Sequence, residues 1–265
     1  MVNRLLFVLA CLLGAALAGC DGGGLDIKPG AHSIFEAFAP PSPAEAAKWA
    51  IDPYDADKRY RGTLLLANAP FASDPLYVQL FSDNVKDTDP GVRAAAARGL
   101  GTHGGPEHVP LLVERLKDED PTVRIEAARA LQRLHNNIAI DPLLEALDKD
   151  KETEPDVRME AASALGQYAE NRVVEQLIRA LQDDNLGVDL TVQDSLRTLT
   201  GQDFGLDISA WQTWYNSTHD LFAARSVYVY PVFSRRPHWY EHLPLIPGPP
   251  NEPEGTPAGM VPGVN

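Results

Sequence analysis

Apolar and polar residues recur with helical spacing in units of slightly more than thirty residues. Four segments align, beginning at Asp89, Asp120, Glu154 and Asn185, and they read DPGVRAAAARGLG, DPTVRIEAARALQ, EPDVRMEAASALG and NLGVDLTVQDSLR. Their valines stand 31, 34 and 31 residues apart, and a leucine follows each valine eight residues later. Apolar residues at i, i+4 and i+8 form one stripe on a helix, so each segment predicts an amphipathic helix.

A second helix, rich in Leu and Val, is predicted after each of the first three segments, in HVPLLVERLK, AIDPLLEALD and RVVEQLIRAL. The acidic residues Asp89, Asp120 and Glu154 can cap the alanine-rich helices, and the proline after each suits the first helical position. Two-helix units of this size cannot bury both faces alone, so the pattern predicts an all-α stack with one continuous core.

The signature D-P-x-V-R-x-x-A-A-x-A-L-G resembles the HEAT-like repeats of the phycobilisome-lyase type, over about Asp52 to Ser217. The resemblance implies a right-handed α-solenoid of about five HEAT-like helical hairpins. The opening DPYDADKRYRG and the closing LTGQDFG with two tryptophans are similar to HEAT-repeat lipoproteins of planctomycete-type bacteria, a resemblance that implies no activity.

The resemblance also implies a ladder of internal hydrogen bonds between an acidic residue near the end of each second helix and the Arg of the signature. The matching residues, at an offset of six, are Asp87 with Arg93, Asp118 with Arg124, and Glu152 with Arg158. The last unit carries Asp189 in place of the Arg, which suggests that the stack ends there. Terminal units are atypical in such stacks, and Phe204, Trp211 and Trp214 are expected to cover the open end as a C-terminal cap.

The first twenty residues have the pattern of a secretion signal. One cation, Arg4, precedes an apolar run of about 15 residues, which is too short to cross a bilayer as a helix. The sequence Leu17-Ala18-Gly19-Cys20 resembles the bacterial lipobox, which implies cleavage between Gly19 and Cys20 and a diacylglycerol on Cys20. The alternative is an ordinary signal peptide in which Cys20 is incidental. Asp21 resembles an inner-membrane retention signal, so the expected location is the cell envelope, lipid-anchored outside the cytoplasm, with the inner membrane favoured.

Composition divides the chain into four parts: a signal peptide over 1–19, a flexible tether over 20–43, the repeat domain over 44–225 and a Pro-rich tail over 226–265. Clustered Gly and Pro oppose regular structure in the tether and the tail. The aromatic first half of the tail is expected to pack on the body and its end to be disordered.

The negative net charge of the chain makes some classes of binding partner less favourable than others. The chain has 23 Lys and Arg against 37 Asp and Glu, and this net charge of −14 disfavours binding of nucleic acid. The only cysteines are Cys11 and Cys20, which excludes a disulfide scaffold and a cysteine-ligated structural zinc site.

Three motifs contain residues that could bind a metal ion, but none of them predicts a catalytic or metal site. His238 to His242 spell H-x-x-E-H, the pattern of inverted zinc proteases, but Pro237 and Pro244 leave barely one turn of helix between them. Adventitious metal binding or surface packing is the alternative. The segment from His103 to His108 is expected to form a turn, and the acidic loop from Asp148 to Asp156 lacks EF-hand spacing. We expect no catalytic residue, no metal and no cofactor.

A non-catalytic protein-binding scaffold is the function these features favour. The candidate contacts are exposed charges on the second helices: Glu114, Arg115, Glu145, Glu175 and Arg179. The expected partner is an envelope protein or peptide, with a basic one favoured by opposite charge. The alternative is a HEAT-repeat enzyme of the bilin lyase or metal-dependent hydroxylase type. Bilin lyases act on the cytoplasmic side, which conflicts with a lipobox, and the hydroxylases need His-Glu pairs on successive helices.

Overall fold

The computed structural model describes residues 41–232, 236–242 and 254–260. The compact body begins at Pro43. The signal peptide, the cleavage site at Gly19 and Cys20, and nearly all of the tether lie outside the described residues. Within them, every helix falls short of the length and apolar character needed to cross a membrane.

The described residues contain eleven α-helices, and ten of these helices pair into five helical hairpins. The helices are α1 Pro43–Ala50, α2 Ala56–Ala67, α3 Pro75–Asn84, α4 Pro90–His103, α5 Val109–Arg115, α6 Pro121–Leu131, α7 Ile140–Leu147, α8 Pro155–Leu165, α9 Asn171–Ala180, α10 Leu186–Thr200 and α11 Ile208–Ser217. Short 3₁₀ turns precede α5 and α7, at Pro106–His108 and Asn137–Ala139, and a third lies at Trp239–His242. The hairpins are α2–α3, α4–α5, α6–α7, α8–α9 and α10–α11, so the predicted all-α repeat solenoid is confirmed.

Two of the alanine-rich first helices begin directly after an aspartate whose side chain caps the helix N-terminus. The Asp89 carboxylate accepts a hydrogen bond from the Val92 N–H at 3.0 Å, and the Asp120 carboxylate accepts one from the Thr122 N–H at 2.8 Å. Both satisfy an N–H that has no partner within the helix. The Glu154 side chain makes no such bond, and α8 begins with Pro155 alone as its helix-starting residue.

One core runs through the repeats. The aligned valines and leucines are completely buried: Val92, Val123, Val157, Val188, Leu100, Leu131, Leu165 and Leu196. Small residues let the first helices approach closely, since a Cβ on Gly101 would lie 2.7 Å from the Ala130 Cα. The Ser195 hydroxyl joins α10 to α8 by donating to the Ala162 carbonyl at 2.8 Å. The first helices therefore form the continuous spine of the stack.

Aromatic side chains close the C-terminal end. The rings of Phe204 and Trp211 meet edge to face with centres 4.9 Å apart, and Trp214 lies 6.0 Å from Trp211. Trp211 is completely buried, and its indole N–H donates to the Gly205 carbonyl at 2.9 Å. Gly201 ends α10 with φ +68°, where a Cβ would lie 2.2 Å from the Ala224 carbonyl oxygen. The structure thus brings together the three residues that the sequence assigned to the cap.

Candidate interaction surface

The repeat stack has two long edges, which differ in composition. We call the loops that lead from each second helix to the next first helix the ladder edge: residues 86–89, 117–120, 148–154 and 182–185. We call the turns inside the hairpins, together with the chain that follows each first helix, the turn edge: residues 104–108, 132–139, 166–170 and 201–207. Charged rungs build the ladder edge, whereas the C-terminal tail covers part of the turn edge.

Each rung of the ladder edge is an arginine held by a carboxylate and by backbone carbonyls. The Arg93 guanidinium donates to both carboxylate oxygens of Asp118, at 2.7 and 2.9 Å, and its third nitrogen donates to the carbonyls of Asp87 and Thr88 at 3.0 Å each. Such a two-pronged pair is strong and fixes geometry. Four rungs repeat this arrangement: Arg59 with Asp87, Arg93 with Asp118, Arg124 with Glu152, and Arg158 with Asp183.

The pairing differs by one repeat from the pairs matched by the six-residue offset. Asp87, Asp118 and Glu152 accept from the arginine of the preceding unit, not from Arg93, Arg124 and Arg158. The arginine does contact the residue six positions before it, but at the carbonyl, as Arg158 does with Glu152 at 2.8 Å. The reason is the length of the side chain, which passes over its own loop and reaches the carboxylate of the next unit. Each rung therefore ties neighbouring repeats together.

The rungs are partly or fully buried, and this burial affects the pKa values of their carboxylates. The Arg158 and Asp183 side chains are 6% and 3% exposed. Burial opposes ionisation of Asp183, but hydrogen bonds from Arg158 and from the Asn185 N–H outweigh it, so the pKa of Asp183 lies below its ordinary value. The pKa values of Asp87 and Asp118 are lowered by the same balance. These carboxylates are charged and fully paired at neutral pH.

The ladder ends at Asp189. Its carboxylate takes the place of the missing arginine and accepts from the Asp183 N–H at 3.1 Å. Burial raises the pKa of Asp189, the Asp183 N–H opposes this shift, and the negative charge of Asp183 adds to it. Sequence reasoning missed Asp183 and Arg59 as rung residues. Asp183 stands six residues before Asp189, so the same offset would have identified it.

The five charges proposed as partner contacts lie on α5, α7 and α9. Arg115 turns inward and contacts the Asp118 carboxylate of the ladder at 3.3 Å. Glu145 pairs with Lys117 of the preceding unit at 3.6 Å, and Glu175 pairs with Arg179 one helical turn later. The Glu114 carboxylate lies 3.7 Å from the Arg115 guanidinium. All except Arg115 are exposed, and each of the three repeats contributes one or two of these five charges, which we call the charge row.

The tail returns along the turn edge. The Ser226 N–H donates to the Thr198 carbonyl at 2.8 Å, and the Tyr228 ring is buried against Gly166. Further along, the Arg133 guanidinium lies 4.8 Å from the centre of the Tyr230 ring. Residues 254–260 also pack on this edge, so the expectation of a disordered end does not hold for them. The packing of Tyr228 and Tyr230 agrees with the expectation for the aromatic first half of the tail, whereas residues 254–260 bond through backbone groups that the Pro-rich sequence does not mark.

A cleft of about 500 Å³ lies between the tail and the body. Its walls include His135, Gln167, Tyr168, Arg225 and Met260. The His135 and Tyr168 rings stack at 4.9 Å, and the Gln167 side chain lies 3.1 Å from His135 Nδ1. Burial raises the pKa of Tyr168 to about 12, opposed by its contact with the Asn136 backbone. Sequence reasoning named none of these as site residues, and no motif marked them.

The histidines of the weighed motifs serve local structure or lie at the surface. His103 ends α4, where Nε2 lies 3.0 Å from the Ala67 carbonyl oxygen and Nδ1 lies 3.1 Å from the Ser73 hydroxyl. Burial lowers the pKa of His103. His108 Nδ1 accepts from the Gly105 N–H at 3.0 Å, and His238 and His242 are exposed. Among the described residues, no group of three or more His, Cys, Asp and Glu side chains could hold a metal ion.

Comparison with known proteins agrees with this architecture. The family model for HEAT repeats matches residues 78–154, and the model for the PBS lyase HEAT-like repeat matches residues 157–183. No curated protein matches the chain.

Three solved structures illustrate the range of similarity to this chain. The complex of CpcE and CpcF of phycocyanin lyase from Nostoc sp. is 20% identical over 68% of this chain and 71% of that chain, with a TM-score of 0.51. An engineered protein is 22% identical over 58% of this chain and 77% of its own, with a TM-score of 0.45. A designed armadillo repeat protein is 15% identical over 69% and 95%, also with a TM-score of 0.45.

Proposed function

We propose that this chain, a HEAT-repeat protein with a PBS lyase HEAT-like repeat, is a lipid-anchored, non-catalytic scaffold of the cell envelope that binds a protein or peptide. Cys20 carries the lipid in this proposal, and the membrane on which the body is held is the inner one. The observation that supports it most is the charge row, whose exposed members come from α5, α7 and α9 of successive repeats.

The partner surface in this proposal is that row. A stack of hairpins presents equivalent positions side by side, which suits an extended partner. Because the chain carries a large negative charge, a basic segment would be attracted to it and would reach it faster. Glu145 and Glu175 are the acidic members whose partners, Lys117 and Arg179, are themselves exposed and can exchange for a partner's cations.

A photo-crosslinking residue tests the surface. It replaces Glu145 in the full chain in cells, and the control places it at Asp194, an exposed position on α10. We expect one crosslinked envelope protein from position 145 and none from position 194. The same product from both positions, or none from position 145, would contradict the proposed surface.

The anchor is tested separately at Cys20. The Cys20→Ser chain is expected to lose incorporation of labelled fatty acid and to leave the membrane fraction, while the Cys11→Ser chain keeps both. Two or more acyl chains are needed for stable anchoring, so loss of the lipid should release the protein completely. Label retained in Cys20→Ser would show that Cys20 is not the lipid site.

The enzyme alternative gains no specific support from the site. The likeness to phycocyanin lyase is one of fold at 20% identity. Metal analysis of the purified protein checks the hydroxylase form of the alternative, because stoichiometric iron would contradict a non-catalytic scaffold.

A further inference from the structure

We infer that the turn edge between α4 and α6 is a docking site for an extended segment of a partner protein, in which a glycine stands two residues after a proline. In the free protein the chain's own residues Glu254–Met260, which we call the strap, occupy this site. The inference rests on the proposed scaffold function and specifies the chemistry of one partner.

Backbone groups of the body define the site. Beyond the end of α6, the Arg133 carbonyl accepts from the Ala258 N–H at 2.8 Å, and the His135 N–H donates to the Ala258 carbonyl at 2.8 Å. Leu134 and Ala258 thereby form an isolated parallel β-bridge. A short extended stretch with outward N–H and carbonyl groups is a template on which another chain adds as a strand.

The residues on either side of Ala258 select the sequence that fits. Pro257 is buried, whereas the Ala258 side chain is exposed. Gly259 has φ +89°, and a Cβ there would lie 2.4 Å from the Pro106 Cγ and 2.9 Å from the His135 carbonyl oxygen. The site therefore covers the proline side chain, leaves the next side chain in solvent, and requires a glycine after it.

Among the described residues, the strap is held by backbone hydrogen bonds and by one buried side chain, that of Pro257. Beyond the two bonds at Ala258, the Tyr230 N–H donates to the Gly255 carbonyl at 3.2 Å, and these are backbone bonds near the surface. Segments held by few buried contacts open at a small cost in free energy. The strap nevertheless competes with any incoming segment at an effective concentration on the order of millimolar, because it is tethered to its site.

A partner must therefore add contacts that the strap lacks, and the cleft of about 500 Å³ supplies them. Thr256 and Met260 line the cleft without filling it. Larger apolar side chains at these two positions of a partner segment would bury more area against Tyr168 and Leu199. A second copy of the chain offers the same strap without these added contacts and cannot displace the tethered one, so the occupant we infer is a partner with larger side chains at these two positions.

The test uses the full chain and a fluorescent peptide of residues 252–262, EPEGTPAGMVP, followed by anisotropy. The Gly259→Val chain releases its own strap, so we expect it to bind the peptide at least tenfold more tightly than the unsubstituted chain does. The Leu76→Val chain is the control and should behave like the unsubstituted chain, because Leu76 is exposed and lies outside the strap and the residues that contact it. The peptide with Gly259→Val should not bind, and the peptide with Thr256→Leu should bind a few times more tightly.

Three outcomes would overturn the inference. They are equal peptide affinity of the Gly259→Val and unsubstituted chains at unchanged helical circular dichroism, failure of the Thr256→Leu peptide to gain affinity, and a dimer of the unsubstituted chain that Gly259→Val dissociates. The last would mean that straps exchange between copies. Failure here leaves crosslinking at position 145 unaffected, and failure there leaves peptide binding unaffected, so the two proposals are tested apart.

Discussion

The ladder edge and the turn edge hold the same repeats by different means. On the ladder edge, four rungs repeat one arrangement of guanidinium, carboxylate and carbonyl with little variation in distance. On the turn edge, each unit is held differently: His103 reaches back to the Ala67 carbonyl, whereas the Tyr168 hydroxyl donates to the Asn136 carbonyl and the strap covers Pro106. Residues that recur in every repeat make the same contacts in every repeat. Residues at the turns differ between repeats, and they make contacts that occur only once.

Stability and adaptability lie on different edges of such a stack. A buried charge pair cannot change one member without leaving the other unpaired, so each rung constrains two units at once. The turn edge is built from neutral hydrogen bonds and ring stacking, whose individual loss costs less. A binding site can therefore form on the turn edge without disturbing the register of the repeats.

The largest expected effect is on the ladder edge. Arg158→Ala removes the partner of Asp183 and leaves a buried carboxylate, which should lower the free energy of unfolding by about 3–5 kcal/mol. Urea denaturation at pH 7 measures it. The control is Arg179→Ala, which removes an exposed ion pair and should change stability by about 0.5 kcal/mol or less.

The pH dependence of the same variant adds a check. The pKa of Asp183 is lowered in the folded protein, so the stability it confers is present above the ordinary value of 3.8 and is lost as the pH falls through the folded value. The difference between Arg158→Ala and the unsubstituted chain should therefore shrink in acid. A constant difference, or one no larger than that of Arg179→Ala, would contradict a buried rung.

A smaller effect is expected on the turn edge. Tyr168→Phe removes the hydroxyl that donates to the Asn136 carbonyl at 3.1 Å and should cost about 1 kcal/mol, since a half-buried acceptor loses its donor. The folded pKa of about 12 exceeds the ordinary 10.0, so the stabilisation by this tyrosine is present below pH 10 and is lost as the pH rises toward 12. Denaturation at pH 8 and pH 11 should show the gap between the two chains narrowing at the higher pH.

The smallest expected effect has the opposite sign. Asp189→Asn keeps an oxygen for the Asp183 N–H but removes a charge that burial and Asp183 disfavour, so it should stabilise the protein by up to about 1 kcal/mol at pH 7. Since the folded pKa of Asp189 is raised, this gain should vanish as the pH falls below 3.8, where both states are protonated. Asp184→Asn, at an exposed carboxylate beside Lys149, is the control and should change stability by about 0.5 kcal/mol or less at pH 7. Destabilisation by Asp189→Asn would show that its charge is needed.

The fold could be predicted because local and long-range signals agree within each unit. Asp89 and Pro90 start a helix, Val92 and Leu100 give it one apolar face, and the same signals return about thirty residues later. The closing aromatic residues stood out because Trp211 and Trp214 follow the last repeat. For the ladder, the residue types were predictable, but the partner of each arginine depends on where the next unit lies in space.

The strap and the cleft could not be predicted, for physical reasons. Ala258 bonds through its backbone, so the type of its side chain does not indicate the contact. Pro257 and Gly259 lie among many other prolines and glycines, which together predict an irregular tail. His135 and Tyr168 meet through a stack between residues 33 positions apart, from two turns whose sequences differ. The repeat units can be recognised because their residues recur at a regular spacing, and contacts that occur only once leave no such spacing in the sequence.

The direction of the rungs has a consequence for how such a chain can change in length. Every arginine points to the carboxylate of the following unit, so a whole unit copied in tandem inherits a donor for its successor and an acceptor for its predecessor. Gene duplication in steps of one full unit would therefore lengthen the protein without an orphan charge. Unequal breakpoints would break a rung. The last unit has Asp189 where a rung arginine would stand, so further units could be joined there by a rung only if this position became an arginine.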